Sequence, residues 1–218
     1  KIEDKLLKIL KDVPFSLGEI TADWLTMAMK DGGPLRTGKV VSFTHHVIGE
    51  ETGFLGEIAI LSLTYSSDAA AQSYDAVLPK TVVLKIPTPL KNRVMGQSLG
   101  VYEKEIRFYS QLKEKLDIRT PGYYYGVMSA ADEPDVILER LKALHRLPIW
   151  AIAIFGLIVQ WIFGLMPRRY ALLIEDVSHY RLGDQSAECS TNDIKMALDS
   201  MATLHAQFWD SEALQALS

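Results

Sequence analysis

Lys85 stands inside the run TVVLKIP, residues 81–87, where Val82, Val83, Leu84 and Ile86 otherwise read as an apolar strand closed by Pro87. An ammonium group loses hydration in such a place and needs an anionic partner. Glu105, in YEKEIRF, is a suitable one, because it falls on the apolar side of a predicted helix. Upstream, Gly49, Gly53 and Gly56 are spaced G-x-x-x-G-x-x-G between two β-rich runs. Glycines without Cβ atoms let backbone amides approach an anion closely, a lysine neutralises oxygen charge, and a carboxylate holds the lysine in place. The chemistry this set could do is the cradling of phosphate oxygens. On Lys85 and Glu105 alone there is an alternative, in which the lysine stem reaches solvent and the glutamate is merely solvated. The glycine segment favours the paired reading.

The elements that would position these groups follow from periodicity. A helix is predicted over 98–116, with Val101, Phe108 and Leu112 in one stripe and Glu105 occupying the stripe's missing position. Strands are predicted at 40–48 and 57–65, at 81–87, in RTPGYYYGVM after an initial turn, and in RRYALLIEDVS. Near the start, SLGEITADWLTMAMKDGG carries a Ser16-to-Glu19 capping-box spacing and stops at Gly32-Gly33-Pro34, so a short helix fills its middle. The tail STNDIKMALDSMATLHAQFW sets Ile194, Leu198, Met201, Leu204 and Phe208 at helical spacing.

Composition bounds the function. The 218 residues are 48% hydrophobic and 23% charged, enough for one sizeable core, and the net charge of −4 gives no basic excess for nucleic acid. Cys189 is the single cysteine, which excludes a disulfide framework within the chain and a cysteine-based zinc site, and suits a reducing, intracellular compartment. The opening KIEDKLLKILKD mixes charges with apolar positions and lacks the apolar centre of a signal peptide. Without an initiator methionine, the chain is expected to have lost or omitted residues upstream.

Six ordered blocks carry a family resemblance: IGEETGFLGEIAILSLTY, LPKTVVLKIP, YEKEIRFYSQL, RTPGYYYG, YALLIEDVSHYRLGDQ and SMATLHAQFW. Over residues 15 to 215, interrupted once, the chain resembles the ecdysteroid-kinase-like branch of the aminoglycoside phosphotransferase and choline kinase group. The resemblance implies an α+β fold, a protein-kinase-like small lobe made of an antiparallel sheet plus one packed helix. It implies N-terminal helices over 1–39, the small lobe over 40–177 with a hydrophobic helical insert at 148–167, and the first helix of a truncated large lobe over 178–218. Its activity would be transfer of phosphate from ATP, with Mg, to a small-molecule hydroxyl. Gly49, Gly53 and Gly56 would line the phosphate loop, Lys85 would bind phosphate and Glu105 would pair with it. Glu175, Asp176 and Val177 would form the hinge whose backbone meets adenine. His205 matches a Leu-His-Ala helix, where a packed core histidine is expected, and His45 and His46 read as ordinary strand residues.

Two departures shape the expectation. Phosphoryl transfer in this family uses a His-x-Asp loop and a later metal-binding Asp. None of His45, His46, His145, His179 and His205 is followed two places on by Asp, so no catalytic or metal-ligating residue is assigned. The chain then reads either as the ATP-binding half of a longer kinase or as a non-catalytic accessory subunit of a membrane protein complex. The second departure is PIWAIAIFGLIVQWIFGLMP, residues 148–167, whose 18 residues between the prolines carry no charge. As a helix it spans roughly 27 Å at ~1.5 Å per residue, near the thickness of a bilayer core. A single crossing would separate the strand ALLIEDV from the strands it must pair with, so the insert is expected to leave and rejoin one side. Trp150, Ile154, Leu157, Trp161 and Leu165 share one helical face, which suits a membrane or hydrophobic protein partner, although burial within the domain is the alternative. Membrane association inside the cell is therefore the expected localisation.

Overall fold

The computed structural model describes residues 13–48, 56–70, 77–87, 90–129, 148, 150, 151, 154, 157, 158, 161, 168–181 and 188–211. Its strands are β1 (Val40–Ile48), β2 (Gly56–Tyr65), β3 (Thr81–Pro87), β4 (Tyr123–Met128) and β5 (Tyr170–Glu175). Its helices are α1 (Ala22–Asp31), the single turn α2 (Ser67–Ala70), α3 (Leu90–Ser98), α4 (Val101–Arg107) and α5 (Thr191–Phe208). The protein is α+β, with one five-stranded sheet in the order β1-β2-β3-β5-β4 whose paired neighbours all run antiparallel.

Alternation along β3 decides which layer lies on which face. Val82, Leu84 and Ile86 point one way, beside Ala59 and Leu61 of β2 and Leu173 of β5, and are covered by Trp24, Leu25, Ala28 and Met29 of α1. Val83 points the other way, with Leu172 and Ile174, toward Tyr102 and Ile106 of α4 and Tyr109 just beyond it. A strand covered on both faces has no need of polar positions, which is why TVVLKIP is apolar almost throughout. Lys85 shares the parity of Val83 and lies opposite Ile58 on β2 and Leu172 on β5.

Two local details differ from the sequence expectation. The helix start in SLGEITADW is capped by Thr21, whose side chain accepts from the Trp24 amide at 3.1 Å. Ser16 instead precedes a single 3-10 turn, Leu17–Glu19, and makes no side-chain cap. The predicted helix over 98–116 is three pieces. Gly100, at φ +63°, takes a left-handed conformation that only glycine adopts cheaply and so separates α3 from α4. After Arg107 the backbone widens to a π-helical turn over Phe108–Leu112 and tightens to a 3-10 turn over Lys113–Lys115. The buried face is accordingly Tyr102, Ile106 and Tyr109, while Val101, Phe108 and Leu112 are only half-buried.

Gly32 ends α1 where the helix meets β4. A Cβ there would overlap the backbone carbonyl oxygen of Tyr124. Gly32→Ala is expected to lower stability by about 1–3 kcal/mol, because backbone on both sides must move. A urea-denaturation midpoint equal to that of the unmutated protein would contradict this packing.

Candidate functional site

Lys85 Nζ donates to Glu105 Oε1 at 2.6 Å, joining the middle of the sheet to α4. The side chains keep 29% and 35% of their exposure, so the pair sits at a rim and not in the interior. Neither reading of Lys85 in the sequence was complete, since the ammonium is both paired and wet. Beside the pair opens a cleft of about 200 Å³, lined by Gly56, Ile58, Pro87, Tyr102 and Leu172 as well as the two charged residues. That volume is below the ~300–1,000 Å³ of sites that enclose a whole small ligand, and fits part of one. Gly56 starts β2 at the cleft wall, where an added Cβ would make only an ordinary contact with the Ile86 carbonyl oxygen, at 3.5 Å. Packing within the described protein therefore does not demand glycine there. Gly49 and Gly53 lie outside the described residues, in the 49–55 connection between β1 and β2.

The predicted hinge lies at the far end of β5. Leu172 is opposite Lys85 and Glu175 is opposite Val82, three residues along, so the start of the hinge and the backbone of Lys85 are separated by roughly 10 Å along the strands at ~3.4 Å per residue. Glu175 Oε2 accepts from the Gly122 amide at 2.8 Å, tying the strand end to the approach to β4. Asp176 Oδ1 accepts from the Ser178 amide at 2.9 Å, and the Val177 carbonyl accepts from the Tyr180 amide at 3.0 Å, so the chain turns immediately after β5. Burial alone would raise the Asp176 carboxyl, but hydrogen bonds from Ser178 and Thr81 and the nearby His179 hold it below its ordinary range.

The sequence reading missed a second acid on α4. Glu103 is 2% exposed, accepts from the Tyr170 hydroxyl at 2.6 Å and pairs with Arg168 at 3.2 Å through the same oxygen, Oε1. Among the described residues its Oε2 has no hydrogen-bond partner. Burial, then the bond to Glu103, pushes the Tyr170 hydroxyl well above its ordinary value. Burial likewise pushes Tyr102 up to about 12. Arg93, also 2% exposed, lies over the Phe15 ring at 3.8 Å. In YEKEIR, Glu103 beside Lys104 looks like a solvated face. The signal that could have found it is the i, i+4, i+7 stripe Tyr102, Ile106 and Tyr109, to which position 103 is adjacent.

Around the apolar segment, the described residues Trp150, Ile154, Leu157, Ile158 and Trp161 are helical and exposed, the two tryptophans at 68% each. Leu165 lies outside the described residues. Arg168 and Arg169, which flank the segment in sequence, turn inward: Arg169 binds Glu19 Oε2 at 2.8 Å and the Val13 carbonyl at 3.1 Å. Ser129 and Arg169 bond each other, amide to carbonyl and amide to hydroxyl, both at 2.9 Å. The chain thus departs after β4 and returns before β5 at a single point of the sheet, as the pairing argument required. Among the described residues no helix is long and apolar enough to cross a membrane.

His205 is exposed on α5 and lines an open groove with Phe108, Leu112, Phe208 and Trp209, so the expectation of a packed histidine fails for it. The helix touches the rest of the protein through Gln207 and Arg181 and buries none of its side chains fully, which leaves His205 uncovered. His45 and His46 are exposed strand residues, as expected.

Taken together, fold and site define an α+β domain in which a strand lysine and a helix glutamate meet beside a small cleft with a glycine at its wall. Comparison with protein-family models, curated proteins and solved structures finds no match to the chain. The cleft's single ammonium and its uncrowded glycine fit a phosphate group. Magnesium finds no such fit, because among the described residues no group of three or more His, Cys, Asp or Glu side chains could hold a metal ion.

Proposed function

We propose that this chain is the ATP-binding half of a kinase-like protein of the small-molecule phosphotransferase type, brought to a membrane surface by its apolar segment. The carrying observation is the 2.6 Å ion pair of Lys85 and Glu105 at the mouth of the cleft. A lysine held by a helix carboxylate presents its remaining N–H groups in a fixed direction, which suits phosphate oxygens. Gly56 leaves room for them. The kinase-like small lobe and the ecdysteroid-kinase-like resemblance are part of this proposal. The antiparallel sheet with α4 packed on it is compatible with such a lobe. Without a His-x-Asp sequence in these 218 residues, the reading assigns binding and no transfer step.

The test is a thermal shift with ATP and Mg. A ligand at a hundredfold excess over its dissociation constant stabilises by about 2.7 kcal/mol. The unmutated protein should show a rise in melting temperature, and Lys85→Ala should abolish it while melting normally without nucleotide. No shift in the unmutated protein counts against nucleotide binding.

A second reading is favoured by the exposed face Trp150, Ile154, Leu157 and Trp161: a non-catalytic accessory subunit docked on a membrane protein complex. Stable co-purification with membrane proteins, together with indifference to nucleotide, would favour it over the first.

A further inference from the structure

The apolar segment re-enters the sheet through Arg168, and Arg168 is bound to the helix that carries Glu105. Its guanidinium meets Glu103 Oε1 at 3.2 Å, its backbone amide donates to Gln97 Oε1 at 3.1 Å, and Tyr170, two residues on, donates to the same Glu103 oxygen. Glu103 and Glu105 are two positions apart on one helix, about 200° around its axis. The helix α4 is therefore gripped on two sides, by the returning chain at Glu103 and by β3 at Glu105. It is only seven residues long, is cut from α3 by the left-handed Gly100, and passes into a π-helical turn. Its rotation is set by Tyr102 and Ile106 in the core and by the polar contacts of Glu103 beside them. The grip at Glu103 is also costly to loosen, because a carboxylate that is 2% exposed and has one oxygen without a partner among the described residues would be left buried without its cation.

We propose that Glu103, held by Tyr170 and by Arg168 at the return of the 130–167 segment, is a positioning residue that aims Glu105 at Lys85. Neighbouring contacts hold the anchor end still: Arg169 clasps the Val13–Glu19 stretch, and Arg93 covers Phe15 of the same stretch. The assignment rests on reading Lys85 with Glu105 as a functional pair, and its test requires no nucleotide.

The readout is the rate at which an amine-acylating reagent labels Lys85 in the full chain, followed by mass spectrometry. Glu105→Gln should raise that rate severalfold, because a free amine reacts faster than one engaged by a carboxylate. Glu103→Leu combined with Tyr170→Phe and Arg168→Met removes the buried polar partners together, a change that is nearly neutral for folding when shapes match. This variant should fold and label Lys85 at a rate approaching that of Glu105→Gln, and adding Glu105→Gln to it should raise the rate no further. Arg168→Gln should move the rate in the same direction. A folded triple variant that labels at the original rate overturns the proposal, and so does one that fails to fold, since Glu103 would then be holding the sheet and not aiming Glu105. If the labelling follows expectation while ATP gives no thermal shift, the positioning role stands and the nucleotide reading falls.

Discussion

Replacing residues 130–167 with a short glycine-containing turn is expected to leave the five-stranded sheet folded and to abolish binding to lipid vesicles. The sheet does not need the segment, because Met128 pairs with Tyr170 and Ser129 bonds Arg169 at the point of departure and return. No described residue of the segment belongs to either core cluster. Its exposed face has Trp150 near one end and Trp161 near the other, the arrangement of a helix lying in an interface with aromatic rings at its ends. Within 130–167 the sequence sets Arg140, Lys142 and Arg146 against Asp132, Glu133, Asp135 and Glu139, so the segment has no basic excess and its contact with lipid would rest on the apolar face. Vesicle co-sedimentation and thermal melting measure the two halves of the prediction separately. Unfolding of the shortened chain would mean that the segment is core, and retained sedimentation would place the contact elsewhere.

The strands were legible because their neighbours made them so. β3 is apolar on both faces and stops at Pro87, and RRYALLIEDVS repeats that pattern in β5; each had to be an inner strand with two covered faces. The pairing of Lys85 with Glu105 was legible for the same reason, since an ammonium in such a strand requires an anion. The register of α4 was not. Extending one 3.6-residue period from Val101 to Leu112 assumes an unbroken helix, and the π-helical turn over Phe108–Leu112 does not respect it. The error moved the buried stripe by one residue and hid Glu103, whose environment comes from Arg168 and Tyr170, far along the chain. Sequence pattern also placed a short helix in the middle of SLGEITADWLTMAMKDGG without showing which surface would receive it. That surface is the sheet face opposite α4, so the N-terminal stretch read as a separate helical segment shares the core of the sheet.

Adjacent residues of β3 separate stability from recognition, and they give the largest folding effect expected of a single substitution here. Leu84 has no exposure and lies against Ala59 and Leu173 under α1. Leu84→Ala removes its methyl groups and leaves a cavity that the close-packed layer fills only in part, which costs about 2–5 kcal/mol. Lys85, on the opposite face, is part of an ion pair about one third exposed, and such pairs contribute only ~0–1 kcal/mol. Lys85→Met keeps the stem against Ile58 and Leu172, so its urea midpoint should stay close to that of the unmutated protein while any response to nucleotide is lost. The two variants should thus move opposite observables, Leu84→Ala the midpoint and Lys85→Met the ligand shift. If Lys85→Met instead unfolds the domain, the ammonium is a structural member of the sheet and the phosphate-site reading loses its carrier.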